Sequence, residues 1–142
     1  MRISDAYVVE SLLQSTVASP DPLRWSTTEN GSFQAPSFTA WVGPVRIELC
    51  DVHRITGTRL CLTLAMGEDQ VIVEEPEPTG WWGKKYRCEE DHRIATTIRR
   101  LREVAIRQCR ERESRAGRET ELIRERVFGQ LLFGNPGLSR ES

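Results

Sequence analysis

The sequence predicts an α+β fold with an N-terminal helix, an antiparallel sheet of about five strands arranged as a meander, and a long or broken C-terminal helix. Two patterns support this prediction. Every second residue is large and apolar in 45–49 and in 60–66, which is the period of strands that bury one face. At both ends of the chain apolar residues recur every three or four residues, as in amphipathic helices.

The first predicted element is a short helix from Ser4 to Ala18. Ser4 is a suitable N-cap, and the sequence SPDP stops the helix after Ala18. We expect this helix to cover one face of the sheet. Its apolar face consists of Val9, Leu12, Leu13 and Val17.

The predicted sheet occupies residues 23–75, and its turns are marked by short polar or glycine-containing pairs. Asn30-Gly31 lies between two β-prone runs, which is typical of a two-residue hairpin turn. A further strand ends at Gly43-Pro44, and the next two reverse at Thr56-Gly57 and in the sequence MGED.

The register of the central hairpin decides which side chains share a face. If Thr56 and Gly57 form a two-residue loop, Cys50 lies opposite Thr63 and diagonal to Cys61. A disulfide between Cys50 and Cys61 is conceivable there. In the cytosol, however, a pair of reduced thiols is the expected state.

The same register places Asp51 and His53 on the apolar face of the hairpin. A carboxylate two residues from an imidazole can orient it for base catalysis. No nucleophile forms a known motif with them, and the motifs GxGxxG, GxxxxGK[ST], HExxH and GxSxG do not occur. The sequence therefore favours a protein that is not an enzyme, with Asp51 and His53 as the catalytic alternative.

A second helix is predicted from about residue 90. The acidic residues 89–91 suit a helix N-terminus. Residues 107–126 are dominated by Arg and Glu, so the helix either extends into solvent or breaks at Gly117. Cys109 stands alone in this region and could link two chains under oxidation. The predicted apolar face consists of Ile94, Ile98, Leu101 and Ala105.

A final apolar cluster follows the charged segment and predicts a protein interface. A polar helix that leads to such a cluster must fold back or dock onto another chain. The leading interpretation is a small cytosolic protein-binding module, namely an adaptor, inhibitor or assembly subunit of the kind found in phages and mobile elements. Residues 1–133 would form one domain with its helical arm from about 90, and 134–142 a flexible tail. The predicted contact residues are Leu122, Ile123, Val127, Phe128, Leu131, Leu132 and Phe133.

A basic and aromatic loop before the second helix supports nucleic-acid binding as the alternative. Its aromatic rings could stack on bases while its cations contact phosphates. The competing interpretation is that a tryptophan fills the corner between sheet and helix, and the net charge of -1 gives no global attraction for nucleic acid. The loop residues are Trp81, Trp82, Lys84, Lys85, Tyr86 and Arg87.

Each of the two histidines follows a cysteine by three or four residues. This spacing supports a zinc site as a further alternative function. Cys50 with His53 and Cys88 with His92 would supply four ligands for a tetrahedral ion. In a strand, however, residues three apart point to opposite faces, so Cys50 and His53 diverge. We therefore expect neither a metal nor a cofactor.

The sequence also predicts a cytosolic protein without a membrane partner. It has no apolar run of about 18 residues, and its N-terminus carries acidic residues where a secretion signal would be cationic and then apolar.

Overall fold

A computed structural model of the chain describes residues 3–28, 36–79 and 85–132. These residues form two helices and five strands, and the strands make one antiparallel sheet in the order β1-β2-β3-β4-β5. The predicted α+β meander is confirmed. The elements are α1 (Asp5–Val17), β1 (Ser26–Thr28), β2 (Ser37–Val42), β3 (Val45–Arg54), β4 (Gly57–Met66), β5 (Asp69–Glu74) and α2 (Glu89–Leu132).

Two compact units can be distinguished along the chain, residues 1–109 and residues 110–142. The sheet, α1 and the first part of α2 belong to the first unit. The charged part of α2 belongs to the second.

Helix α1 begins where its cap predicts. The Ser4 hydroxyl accepts a hydrogen bond from the Tyr7 amide at 3.2 Å, satisfying one of the free amides of the first turn. The predicted apolar face is wrong at its last position, because Val17 is exposed and Thr16 is buried. Thr16 can be buried because its hydroxyl donates to the Leu12 carbonyl at 2.7 Å and therefore stays hydrogen-bonded.

Two of the predicted turns lie where glycine allows them. Gly43 has φ 55 in the connection between β2 and β3, and Gly67 has φ 60 in the connection between β4 and β5. Other residues rarely adopt this left-handed conformation, so these glycines permit two-residue loops. Strands β1 and β2 pair antiparallel as expected, while Asn30-Gly31 lies outside the described residues.

The predicted register of the central hairpin is wrong by two residues. Arg54 pairs with Gly57, so the loop is Ile55-Thr56, and Cys50 lies directly opposite Cys61. Gly57 takes φ 133 in the first position of β4 instead of inside the loop. Because a shift of two residues keeps every side chain on its face, the apolar alternation is the same in both registers and could not distinguish them.

The core lies between one face of the sheet and the two helices. The predicted face of α2, from Ile94 to Ala105, is buried, and the burial extends to Cys109. All of these side chains form one cluster with α1. The sheet contributes Phe38, Ala40, Ile47, Leu49, Leu60, Leu62 and Val73 to this cluster.

The largest fully buried side chain, Trp25, joins three parts of the first unit. Its indole Nε1 donates to the Thr16 hydroxyl of α1 at 3.0 Å. Its amide donates to Gln108 Oε1 of α2 at 2.6 Å, and Gln108 Nε2 donates to the Leu23 carbonyl at 2.8 Å. Cys109 Sγ donates to the Trp25 carbonyl at 3.4 Å. Trp25 therefore fixes the segment before β1 between the two helices.

Replacing Trp25 by Phe should lower the free energy of unfolding by about 2–3 kcal/mol, because it removes the indole donor and leaves space in the core. The matched control is Trp41→Phe, since Trp41 is 61% exposed, and it should change stability by less than about 0.5 kcal/mol. Urea unfolding followed by circular dichroism measures both variants. Equal losses would contradict the role assigned to Trp25.

Candidate functional site

Helix α2 continues without a break through Gly117 to Leu132, so the long form of the predicted helix is the one observed. The six described residues of the predicted protein interface are between 50% and 73% exposed, and they are Leu122, Ile123, Val127, Phe128, Leu131 and Leu132. Phe133 lies outside the described residues. A helix that exposes this many large apolar side chains within three turns has the composition of a contact surface.

Most of these apolar residues share one side of the helix. At about 100° per residue, Ile123, Val127 and Leu131 fall within an arc of roughly 80°, and Phe128 lies about 60° beyond one edge of it. Leu122 and Leu132 lie on the other side. Ala116 and Thr120 extend the arc toward the N-terminus, and we call Ala116, Thr120, Ile123 and Val127 the helix seam.

Charged residues of opposite sign border the helix seam. Glu119 lies along one edge and Arg124 along the other, each about 70° from its centre. Thr120 faces the seam but has its hydroxyl bonded to the Ala116 carbonyl at 2.8 Å, which reduces its polar character there. The seam therefore has a narrow apolar centre with a charge of known sign on each side.

The predicted nucleic-acid loop is only partly described, since Trp81, Trp82 and Lys84 lie outside the described residues. Lys85 forms a short antiparallel bridge with Thr79, with its amide donating to the Thr79 carbonyl at 3.2 Å. The Tyr86 ring lies 5.5 Å from the His92 ring, and Arg87 is exposed. The described part of the loop thus begins with a backbone bridge and leads into the first turn of α2.

The four side chains of the zinc hypothesis are not brought together. Cys50 and His53 point to opposite faces of β3, as the pleat requires. Cys88 and His92 lie at the start of α2, where the His92 amide donates to the Cys88 carbonyl at 3.2 Å. Within residues 3–28, 36–79 and 85–132, no three His, Cys, Asp or Glu side chains are grouped so that they could hold a metal ion.

The cysteines of the central hairpin are free thiols on the face opposite the helices. Burial raises the pKa of both Cys50 and Cys61 above the ordinary thiol value, and each is further raised by nearby acidic groups. Both are therefore protonated and weakly nucleophilic at neutral pH. The expectation that Cys109 could link two chains is wrong, because this thiol is buried in the core against Trp25.

Asp51 and His53 share the helix-facing side of β3, as expected, but they have different partners. Asp51 Oδ1 lies 3.4 Å from Arg102 Nη1 of α2. His53 is exposed, and its Nδ1 lies 3.1 Å from the Thr58 hydroxyl. Among the described contacts, Asp51 therefore does not hydrogen-bond to His53 and does not orient its ring.

Sequence reasoning missed a buried carboxylate, Glu75, directly after β5. Its side chain is 6% exposed and binds the guanidinium of Arg99 through Oε2. Glu75 Oε1 accepts from the Leu60 amide at 3.2 Å, and the Glu75 amide donates to the Leu60 carbonyl at 2.8 Å. The hydrogen bond with Glu75 raises the pKa of Arg99 further above its ordinary value. The alternation of β5 could have indicated this burial, because it places residue 75 on the same helix-facing side as Val73.

No protein-family model matches the chain, and neither a curated protein nor a solved structure is significantly similar to it. Among the described residues, no helix is both long and apolar enough to cross a membrane. The chain's own residues must therefore carry any assignment of function.

Cys88 should react with iodoacetamide faster than the other three cysteines by about tenfold or more, because it alone is exposed and the thiolate is the reacting form. Time-resolved mass spectrometry of tryptic peptides measures the four rates. In 8 M urea, the control condition, all four should react at similar rates. Folded-state alkylation of Cys61 or Cys109 as fast as Cys88 would contradict the burial described above.

Proposed function

We propose that this protein is a protein-binding module whose C-terminal helix pairs with the same helix of a second copy. The observation that carries the proposal is the row of half-exposed apolar side chains on residues 116–131 of α2. Residues 110–132 of α2 contain no buried residue, whereas packing of an apolar face is the usual source of helix stability in proteins. The proposed role is binding, with no catalytic step and no cofactor.

The spacing of the helix seam supports a parallel coiled-coil pair. Ala116, Thr120, Ile123 and Val127 are separated by four, three and four residues, which is the alternation of positions d and a in a heptad. Such a seam meets its own copy along a two-fold axis, because each position faces the same position of the partner.

The charges that border the seam are complementary to a second copy in this register. Glu119 occupies position g and Arg124 the following position e, five residues later. In a parallel pair, g of one helix faces e of the other, so Glu119 meets Arg124 of the second copy on both sides of the seam. A partner of a single charge sign would instead repel one of these two residues.

Free thiols support placing this function in the cytosol. The four cysteines are all unpaired, including the directly opposed Cys50 and Cys61. Disulfides are rare in cytosolic proteins because cellular reductants keep thiols reduced. The adaptor, inhibitor or assembly roles suggested by the sequence would then be performed by a self-associated protein.

Substitutions at neighbouring positions test the seam. Ile123→Asp should abolish self-association, because it places a charge at the centre of the apolar contact. Leu122→Asp is the matched control, since Leu122 is 60% exposed and Ile123 58% but only Ile123 belongs to the seam. Sedimentation velocity over a concentration series measures both. If the wild-type chain stays monomeric up to the highest soluble concentration, the proposal of self-association is rejected. The partner of the helix would then be a different protein.

Charge reversal tests the register separately. Glu119→Arg and Arg124→Glu should each weaken the dimer by about three- to tenfold at low salt, because each creates two like-charge contacts. The double variant, which restores both pairs with the signs exchanged, should recover the wild-type dissociation constant. Additive losses in the double variant would show that the two residues do not face each other.

A further inference from the structure

A cleft of about 590 Å³ lies at the end of the central hairpin, between strands β3 to β5 and the buried part of α2. All of its lining residues fall between positions 51 and 106, within the first compact unit. Leu60 and Ile106 give it apolar wall area. Its remaining lining residues include three arginines and three carboxylates, which is an unusual concentration of charge for a recess next to the core.

The two signs of charge are arranged in depth. The carboxylates of Glu75 and Asp51 are 6% and 15% exposed, whereas the paired side chains of Arg99 and Arg102 are 62% and 38% exposed. Within each of these two pairs the carboxylate is therefore the more buried partner. In these two pairs the guanidinium is the group nearer to solvent, and Glu103 is exposed beside them.

The buried carboxylates hold these guanidiniums by one nitrogen each. Arg99 uses Nε to bind Glu75, and Arg102 uses Nη1 in the 3.4 Å contact with Asp51. The other guanidinium nitrogens of Arg99 and Arg102 have no hydrogen-bond partner among the described residues. Because the anchoring restricts both side chains, less conformational entropy is lost when the remaining donors bind an acceptor.

Arg59 also lines the cleft, but by the alternation of β4 its side chain leaves the strand on the face of Cys61 and not on that of Leu60. Arg59 is 15% exposed, and its Nη2 contacts Glu77 Oε1 at 3.2 Å and the Thr56 hydroxyl. The three arginines of the lining are balanced in formal charge by its three carboxylates, of which Glu103 is the exposed one. An anion would therefore be held by the directed donors that Arg99 and Arg102 do not use for Glu75 and Asp51, and Glu103 would oppose its binding.

We propose that this cleft binds a small organic anion, in which a carboxylate or phosphate group contacts Arg99 and Arg102 and a short apolar chain contacts Leu60 and Ile106. Planar guanidiniums donate paired hydrogen bonds that match either oxyanion. The site is independent of the helix pairing proposed above, because its residues and the helix seam do not overlap.

Isothermal titration with four probes tests the site on the full-length chain. Hexanoate and hexyl phosphate carry both the anion and the apolar part, so at least one of them should bind, and the comparison identifies the preferred oxyanion. Hexanol lacks the charge and inorganic phosphate lacks the chain, so each should bind about tenfold more weakly than the better probe. Binding of hexanol or inorganic phosphate as tight as the better probe, or binding by none of the four at millimolar concentration, would overturn the proposal.

Three variants locate the site on the chain. Arg102→Gln should weaken binding of the better probe by about tenfold or more, because it removes a charge-assisted donor. Arg100→Gln is the matched control, since Arg100 is exposed on the same helix but does not line the cleft, and its affinity should match the wild type. Glu103→Gln should strengthen binding by removing the repelling carboxylate.

Thermal unfolding with and without the probe separates lost binding from lost folding. A folded Arg102→Gln chain should show a cooperative transition that the probe no longer shifts upward, while the Arg100→Gln transition should shift as in the wild type. Equal weakening in Arg100→Gln and Arg102→Gln would mean that the anion is attracted by general charge alone, which would overturn the assigned site.

Discussion

The hydrogen bonds around Trp25 are the constraint on which the rest of the structure depends. The indole and the backbone of this residue connect α1, the segment before β1 and the turn of α2 that contains Gln108 and Cys109. Each of these groups is buried or partly buried, so each would be costly to leave without a partner. Cys109 is also the last buried residue of α2, and the residues after it are exposed wherever they are large and apolar. The Trp25 contacts therefore mark where the helix stops being part of the core.

Glu75 plays a comparable role at the other end of the helix–sheet contact. A carboxylate at this depth needs hydrogen bonds and a counter-charge, and it obtains them from the Leu60 amide and Arg99. The ion pair of Glu75 and Arg99 is therefore a polar contact at the margin of the apolar core, next to Leu60 of β4. Glu75 and Arg99 also line the charged cleft. The same ion pairs thus contribute to the packing of α2 and to the shape of a recess.

Periodicity predicted those parts of the molecule that depend on neighbours in sequence. The apolar face from Ile94 to Ala105 and the turns at Gly43 and Gly67 follow from local spacing and from glycine's tolerance of positive φ. Contacts between distant residues were not predictable in this way. Trp25 and Gln108 are 83 positions apart, so nothing in the charged sequence around Gln108 indicated a buried partner. The hairpin register was missed because both registers give the same two faces, and the cleft was missed because it depends on Glu75 meeting Arg99.

One periodic pattern serves two environments along α2. Apolar positions three or four residues apart run from Ile94 to Cys109, where the sheet and α1 cover them. The same spacing resumes in the helix seam, where Ile123 and Val127 are the large side chains and both are exposed. A helix surrounded only by water has no physical requirement for such spacing, because polar residues serve equally well on every side. Large aliphatic side chains at these positions are favourable only if something covers them, as the core covers the earlier ones. The pairing proposed above would cover Ile123 and Val127 in the way that the sheet and α1 cover the earlier positions.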